Sequence, residues 1–118
     1  MKITLLQQDI VWGDPETNRK KAEKLMAEGA GTELYVLPEM FSTGFMVAQE
    51  PMTEPAEGDT LRWMKQQAAT YGAAIGGSVA VTDGERLYNR FYFVKPDGSI
   101  EHYDKRHLFT YSLSLIHI

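Results

Sequence analysis

Short apolar segments alternate with helix-type segments along the chain. This alternation limits the possible folds more than any other feature of the sequence. Residues 2–9 and 34–37 have the apolar, partly β-branched composition of buried strands, and residues 15–28 between them have the composition of a helix. A strand–helix–strand order favours two neighbouring parallel strands with the helix covering them. The sequence therefore predicts an α/β fold.

Both predicted helices carry recognisable end signals. Asp14 is placed as an N-cap with Pro15 at the first helical position, and Gly29 and Gly31 end the first helix. The second helix is predicted to begin at Asp59 or Thr60 and to end at Gly72. Apolar residues at helical spacing are Ala22, Leu25 and Met26 in the first helix and Leu61, Met64, Ala68 and Tyr71 in the second.

Strand signals dominate the chain after the second helix. Residues 46–58, rich in Pro, Glu and Met, precede that helix and predict an exposed connection. The strands predicted after it are residues 73–81, 87–94 and 100–104, with turns at Asp83-Gly84 and Pro96-Asp97-Gly98. The last two strands form a predicted hairpin.

Length and composition exclude several classes of protein. A chain of 118 residues that is 43% hydrophobic suffices for one small domain. Its net charge of −4 offers no electrostatic footprint for nucleic acid. Because the sequence has neither an apolar run of about 20 residues nor a signal-peptide core at Met1, we expect a cytoplasmic protein that does not span a membrane. The absence of cysteine rules out disulfides, thiolate metal sites and a cysteine nucleophile within these residues.

A single carboxylate follows the second predicted strand in the segment "LYVLPEMFSTGF". Glu39 is placed where α/β sheets open the carboxyl ends of their strands to ligands. Its neighbours Met40, Phe41 and Phe45 could form an apolar pocket that favours the protonated carboxyl, which suits a general base. The alternative is a solvated loop glutamate, and composition alone leaves both open.

A lysine, two histidines and a glycine pair complete the candidates. Lys105 ends the return strand of the hairpin, beside Leu108 and Phe109, where a fixed cation could face a developing oxyanion; the alternative is a surface lysine. His102 and His107 have no partner at a standard zinc spacing and are interpreted as structural or surface residues. The run Gly76-Gly77-Ser78 lacks the remainder of a phosphate loop and indicates a closely packed strand.

Three segments together resemble a known family. The stretches "ITLLQQDIVWGDPETNRKKAE", "LYVLPEMFSTGF" and "YNRFYFVKPDGSIEHYDKRHLF" are similar, in order and separation, to the N-terminal half of nitrilase-superfamily carbon–nitrogen hydrolases, and most of all to omega-amidases. The resemblance covers about residues 2 to 110. It implies the N-terminal half of a four-layer α-β-β-α sandwich.

The resemblance also implies a Glu-Lys-Cys active site and a function. Glu39 matches the general base of the family, and Lys105 matches the lysine that stabilises the tetrahedral intermediate. Phe41 and Phe45 are secondary candidates for the substrate pocket. The implied substrate is a small-molecule amide, such as the terminal amide of a short 2-oxo dicarboxylic acid monoamide. No cofactor or metal is expected, and the full-length protein is expected to be a homo-oligomer.

The resemblance ends near residue 110. Residues 111–118, "YSLSLIHI", alternate in a way that could form a short strand, but they do not resemble the continuation of the family. We therefore expect a partial domain over residues 1–110 and an atypical tail from truncation or a frameshift. The 118-residue chain would then lack the nucleophile and be inactive alone. The alternative is a non-catalytic α/β binding module that pairs with another chain.

Overall fold

The computed structural model describes residues 1–29, 31–44, 53–84 and 86–105, and the backbone of residues 109–110 and 115–116. Two helices and eight strands lie within these residues. The helices are α1 (Pro15–Glu28) and α2 (Asp59–Tyr71). The strands are β1 (Ile3–Leu5), β2 (Leu34–Val36), β3 (Glu54–Pro55), β4 (Ala74–Asp83), β5 (Arg86–Val94), β6 (Ile100–Asp104), β7 (Phe109–Thr110) and β8 (Leu115–Ile116).

One mixed sheet organises the described part of the chain. Its strand order is β1-β2-β4-β5-β6, with β3 also paired to β4, while β7 and β8 form a separate antiparallel pair. Strands β1, β2 and β4 are parallel, which confirms the predicted strand–helix–strand unit. Strands β5 and β6 continue the sheet in antiparallel pairing, as the predicted hairpin requires. Because β6 is antiparallel to β5 and β5 to β4, strand β6 runs in the same direction as β2.

Two short strands share one edge of β4. Strand β2 pairs with the beginning of β4, where Val36 is opposite Gly76, and β3 pairs with its end, where Glu54 is opposite Val81. Residues 37–44, which follow β2, occupy the interval between these pairings. The Leu37 N–H donates to the Gly76 carbonyl at 2.8 Å, and the Met40 N–H donates to Ser78 Oγ at 2.9 Å. The loop after β2 is thereby fixed to the middle of β4.

The hydrophobic core lies between the sheet and the two helices. The predicted stripes are confirmed: Ala22, Met26, Leu61, Met64 and Ala68 are buried, and Leu25 and Tyr71 pack against the core. The sheet contributes Tyr35, Ile75, Val79, Val81, Tyr92 and Val94. Trp63, absent from the predicted stripe of α2, is also buried.

The opposite side of the sheet is apolar and much more exposed. Side chains alternate along a strand, so residues next to the core residues in sequence face away from the helices. We call this side the open face and define it by Ile3, Leu5, Phe91, Phe93 and Tyr103. Leu5 is 72% exposed and Tyr103 58% exposed, while the two phenylalanines are half-buried. Within the described residues, neither helix covers this face.

The helix ends follow the sequence signals in most respects. Asp14 Oδ1 accepts from the Thr17 N–H at 3.2 Å, and hydrogen bonding to the side chain and then to the N–H of Thr17 holds the pKa of Asp14 below its usual value. Gly29 caps the end of α1, and Gly72 ends α2 in the left-handed conformation with φ of 59°. At the start of α2, the side chain of Glu54 accepts from the Thr60 N–H at 2.7 Å. A carboxylate from β3, the strand that immediately precedes α2, thus caps the helix in place of the N-cap residue Gly58.

Two predicted boundaries differ from the structure. The first strand spans Ile3–Leu5 and not residues 2–9, because Gln8 turns to α1 and donates its side-chain amide to the Asn18 carbonyl at 3.1 Å. The segment 46–58 was predicted to be an exposed connection, yet Glu54–Pro55 forms β3. Residues 46–52 of that segment lie outside the described residues.

Candidate active site

The loop that carries Glu39 is attached to the N-terminal segment through one buried residue of α1. Asn18 is fully buried, and its Nδ2 donates to the carbonyls of Val11 and Ser42, both at 2.7 Å. Its Oδ1 accepts from the Val11 N–H at 2.8 Å. One side chain therefore joins helix α1, residue 11 and the loop after β2.

The same loop contains a strained residue directly after Glu39. Met40 has φ of 53°, a left-handed conformation that costs a residue with a side chain about 1–2 kcal/mol. The conformation is held by the bond from its N–H to Ser78 and by the Gly44 N–H, which donates to the Met40 carbonyl at 2.7 Å. Met40 itself is buried. These contacts fix the direction in which the preceding residue, Glu39, leaves the backbone.

Glu39 and Lys105 form an ion pair although 66 positions separate them in the sequence. Lys105 Nζ donates to Glu39 Oε2, and Asn89 Nδ2 donates to the same oxygen at 3.0 Å. The side chains of Glu39 and Lys105 are 30% and 32% exposed. Glu39 follows the carboxyl end of β2, and Lys105 follows that of β6. The two candidates from the sequence therefore meet at one end of the sheet.

The ion pair lines a small cavity that is open to solvent. Its volume is about 170 Å³. The residues that line it are Leu37, Glu39, Ser78, Phe91 and Lys105. A charged pair, a hydroxyl group and an aromatic ring at one cavity can bind a small polar molecule that has an apolar part.

The apolar residues expected beside Glu39 and Lys105 either lie elsewhere or fall outside the described residues. Phe41 is fully buried on the core side of the sheet, with its ring 5.6 Å from that of Trp63, and it does not line the cavity. Phe45 and Leu108 lie outside the described residues, as does the side chain of Phe109. Among the described residues, the hydrogen-bond donors to the Glu39 side chain are Lys105 and Asn89.

Sequence reasoning missed Asn89, which contacts both members of the pair. It is 1% exposed in the middle of β5. Its side chain donates to Glu39, and its carbonyl accepts from the Lys105 N–H at 3.0 Å. Asparagine is depleted in strands, so "YNRF" within an otherwise apolar and aromatic strand was a usable signal.

The glycine pair of β4 is a site of close packing, as predicted. A Cβ at Gly76 would lie 2.9 Å from the ring of Phe91, and one at Gly77 would lie 3.1 Å from both Leu37 and Phe41. Ser78 uses its hydroxyl to hold Met40. This strand therefore supports the Glu39 loop directly.

A buried arginine stabilises the strands beside Lys105. Arg90 forms two hydrogen bonds to Asp104, at 2.6 and 3.0 Å, and one to Asp83 at 3.2 Å. Asp104 is the main cause that raises the pKa of Arg90, which stays charged. Because Asp104 immediately precedes Lys105, this network fixes the end of β6 from which the lysine projects.

The histidines show no metal site in the described part of the chain. His102 is exposed on β6, and its ring lies edge-on to Tyr92 with 6.3 Å between centroids. His107 lies outside the described residues. No group of three or more His, Cys, Asp or Glu side chains suited to a metal occurs among the described residues. Those residues also contain no helix long and apolar enough to cross a bilayer.

A match to a family model identifies the family of the chain. The carbon-nitrogen hydrolase model matches residues 2–116. The chain belongs to the carbon–nitrogen hydrolase family. The predicted resemblance is confirmed, and so is its fold, since the sheet with two helices corresponds to the N-terminal half of the sandwich.

Two relatives of the chain are named amidases. The chain is 38% identical over 117 residues to the omega-amidase YafV of Escherichia coli K12, covering 99% of this chain and 45% of the relative. It is 37% identical over 111 residues to the 2-oxoglutaramate amidase of Bacillus subtilis, covering 91% of this chain and 43% of the relative. The chain thus spans less than half the length of these two relatives.

Solved structures agree with the fold. A CN-hydrolase superfamily protein from Xanthomonas campestris is 39% identical and superposes with a TM-score of 0.84, covering 95% of this chain and 43% of that one. Nit3 of Saccharomyces cerevisiae, at 22% identity, has a TM-score of 0.74, covers 91% of this chain and 44% of that one, and supports the fold alone.

Proposed function

We propose that this chain supplies the glutamate and lysine of an active site that hydrolyses linear amide carbon–nitrogen bonds. The observation that carries the proposal is the contact between Glu39 and Lys105 at the end of the sheet. A carboxylate beside a fixed ammonium provides a base and an electrostatic stabiliser within reach of one reacting carbonyl.

The reaction requires a thiol nucleophile that these 118 residues do not contain, since they include no cysteine. Glu39 removes the proton of that thiol, and the sulfur attacks the amide carbonyl carbon to form a carbon–sulfur bond. Glu39 then delivers the proton to the leaving nitrogen as the carbon–nitrogen bond breaks and ammonia departs. In the second half, Glu39 removes a proton from water, the water oxygen attacks the thioester, and the thiol leaves with that proton.

Lys105 stabilises charge on the carbonyl oxygen. Each half-reaction passes through a tetrahedral intermediate with a developing alkoxide. Because Asn89 also donates to Glu39, the carboxylate stays in position when the ammonium of Lys105 turns to that oxygen. Lysine suits this role because its ammonium is a compact charge on a flexible stem.

A small monoamide of a 2-oxo dicarboxylic acid is the proposed substrate. Relatives at 37–38% identity are named omega-amidase and 2-oxoglutaramate amidase, which supports this class. The small, partly polar cavity at Glu39 is compatible with the terminal amide of such a molecule.

The test uses a hybrid that supplies the missing nucleophile. Residues 1–110 of this chain are joined to the part of the E. coli omega-amidase that follows the region matching them. We expect ammonia release from 2-oxoglutaramate by the hybrid and none by the 118-residue chain. Glu39→Gln in the hybrid keeps the shape of the side chain but removes the base, so turnover should fall by about 10²- to 10⁴-fold. Near-normal turnover would return Glu39 to a loop carboxylate without a catalytic role.

Lys105 has a matched control in Lys95. Lys105→Ala should lower turnover by about 10²- to 10³-fold, as for the loss of one oxyanion donor. Lys95 pairs with Glu101 at an exposed hairpin end, so Lys95→Ala should leave turnover unchanged. Lys105→Arg keeps the charge but carries a larger planar group, and we expect it to fail nearly as badly as alanine. Equal tolerance at 95 and 105 would refute the assignment of Lys105.

A non-catalytic binding module is the second candidate, and the apolar open face favours it. Such a module would bind a partner chain through that face. Absence of turnover in a folded hybrid, together with binding of another chain by the 118-residue protein, would support this alternative.

A further inference from the structure

We propose that Asn89 is a positioning residue that selects which oxygen of Glu39 acts as the base. The inference rests on the proposed amidase function and adds a residue to it. Among the described residues, both hydrogen bonds to the Glu39 side chain end on Oε2, one from Lys105 and one from Asn89. Oε1 is thereby the oxygen presented to a thiol or to water.

The orientation of the Asn89 amide follows from its partner. A carboxylate oxygen accepts hydrogen bonds, so the atom 3.0 Å from Glu39 Oε2 is the Nδ2 donor and not the Oδ1 acceptor. Asn89 is 1% exposed, and its amide is held inside the sheet without competition from bulk water. A buried donor to a carboxylate limits the rotation of the carboxylate.

Asn89 also fixes the position of the lysine, through its main chain. The Lys105 N–H donates to the Asn89 carbonyl at 3.0 Å, which extends the pairing of β5 with β6 by one residue. Because this contact is made by the backbone, it persists when the side chain at position 89 is replaced. Substitutions at position 89 therefore test the hydrogen bond from the side-chain amide to Glu39 separately from the placement of Lys105.

The charged groups near position 89 are few and have known partners in the described structure. Glu39 and Lys105 lie on the side of the sheet that the Asn89 side chain faces. Arg90, the next residue, projects to the other side, where it is paired with Asp83 and Asp104. A change of charge at position 89 therefore acts first on the Glu39–Lys105 pair.

Asn89→Asp gives the sharpest test, since it replaces the donor by a carboxylate of nearly the same shape. At neutral pH two carboxylates would face each other, so the hybrid should lose at least about 10²-fold in turnover. At acid pH the two carboxyl groups can share one proton, and the protonated carboxyl group at position 89 can donate to Oε2 of Glu39. Activity relative to the parent hybrid should therefore recover as the pH falls.

Asn89→Leu provides the comparison for the pH profile. It removes the donor without adding an ionisable group, so its loss of turnover should be similar at all pH values where the parent is active. In both variants we expect kcat to fall more than KM changes, because Asn89 acts through Glu39 and does not itself line the cavity. Gln66→Glu is the control for Asn89→Asp. It makes the same change in net charge at an exposed position of α2 and should leave kcat unchanged.

The outcomes separate this inference from the proposed function. An active parent hybrid with an inactive Glu39→Gln variant supports the function, whatever position 89 shows. If Asn89→Leu then turns over normally, or if Asn89→Asp shows no recovery at acid pH, the positioning role is wrong. Circular dichroism of Asn89→Asp at neutral pH is compared with the parent hybrid, and an equal spectrum there excludes unfolding as the cause of the lost turnover.

Discussion

Adding one methyl group at Gly77 should destabilise the protein, whereas the same addition at Gly76 should not. The two glycines are neighbours in β4 and therefore face opposite sides of the sheet. A Cβ at Gly77 would lie 3.1 Å from Leu37 Cβ and 3.1 Å from the Phe41 ring. Both of these neighbours are buried in the core, on either side of Glu39 in sequence, so they have little room to move.

The magnitude follows from two opposing effects. Overpacking a well-packed core by one methyl group costs about 1–3 kcal/mol. Replacing glycine by alanine restricts the unfolded chain and recovers about 0.4–1 kcal/mol. The net destabilisation expected for Gly77→Ala is therefore roughly 0.5–2.5 kcal/mol.

Gly76→Ala is the matched control, because its Cβ would meet the tip of one ring. Phe91 Cζ would lie 2.9 Å away, but Phe91 is half-buried on the open face, and its ring can rotate toward solvent. We expect a free energy of unfolding within about 0.5 kcal/mol of the parent. Since Phe91 lines the Glu39 cavity, the displaced ring should raise KM in the hybrid.

The assay is urea unfolding of the 118-residue chain at low protein concentration, followed by far-ultraviolet circular dichroism. The two alanine variants and the parent are compared at equal concentration, since association would shift the midpoint. A Gly77→Ala variant as stable as the parent would refute the packing argument. So would a larger loss for Gly76→Ala than for Gly77→Ala.

Two further predictions concern the open face and the cap of α1. The 118-residue chain should self-associate through the exposed apolar residues of its open face. In sedimentation experiments, Leu5→Lys should weaken this association more than Glu28→Lys, which lies on the helical side. Equal effects of the two substitutions would contradict the role of the open face. Because its hydrogen bonds to Thr17 lower the pKa of Asp14 in the folded protein, the cap contributes stability above the unfolded pKa of about 4, and this contribution disappears as the pH falls through the folded value. Asn at position 14 keeps the hydrogen-bond acceptor without titrating, so Asp14→Asn should lose less stability on acidification than the parent, and an identical pH dependence in thermal unfolding would contradict this.

Local signals predicted the elements of the fold well, because their causes lie within a few residues. Pro15 and Gly72 mark helix ends through their own backbone preferences, and the predicted strand 100–104 has its bounds unchanged in the structure. The first strand was predicted too long because its end depends on a contact between Gln8 and a helix residue ten positions away. Strand β3 was missed because a two-residue strand has no periodicity.

The sequence predicted the two charged residues of the site but not the residues that hold them in place. Glu39 and Lys105 follow predicted strands and match the motifs of a family, so each could be named from the sequence. Their contact, and the donation of Asn89 to the same oxygen, depend on the register of β5 with β6, which no local pattern specifies. Likewise, Phe41 was expected beside the carboxylate because it is close in sequence, yet it packs on the core side of the sheet.

Hydrogen bonds hold the Met40 and Gly44 amides of the Glu39 loop and connect the loop to its neighbours. The Gly13 N–H donates to the Thr43 carbonyl at 2.9 Å, and the amides of Met40 and Gly44 are also bonded to buried groups. Asn18 connects these segments to α1 from within the core. Loops of this kind ordinarily exchange their amide hydrogens with solvent by local fluctuation, but opening this loop would break its contacts with Ser78 of β4 and Asn18 of α1. In deuterium labelling, the amides of Met40 and Gly44 should therefore exchange about as slowly as those of β4, and far more slowly than those of the turn at residues 96–98.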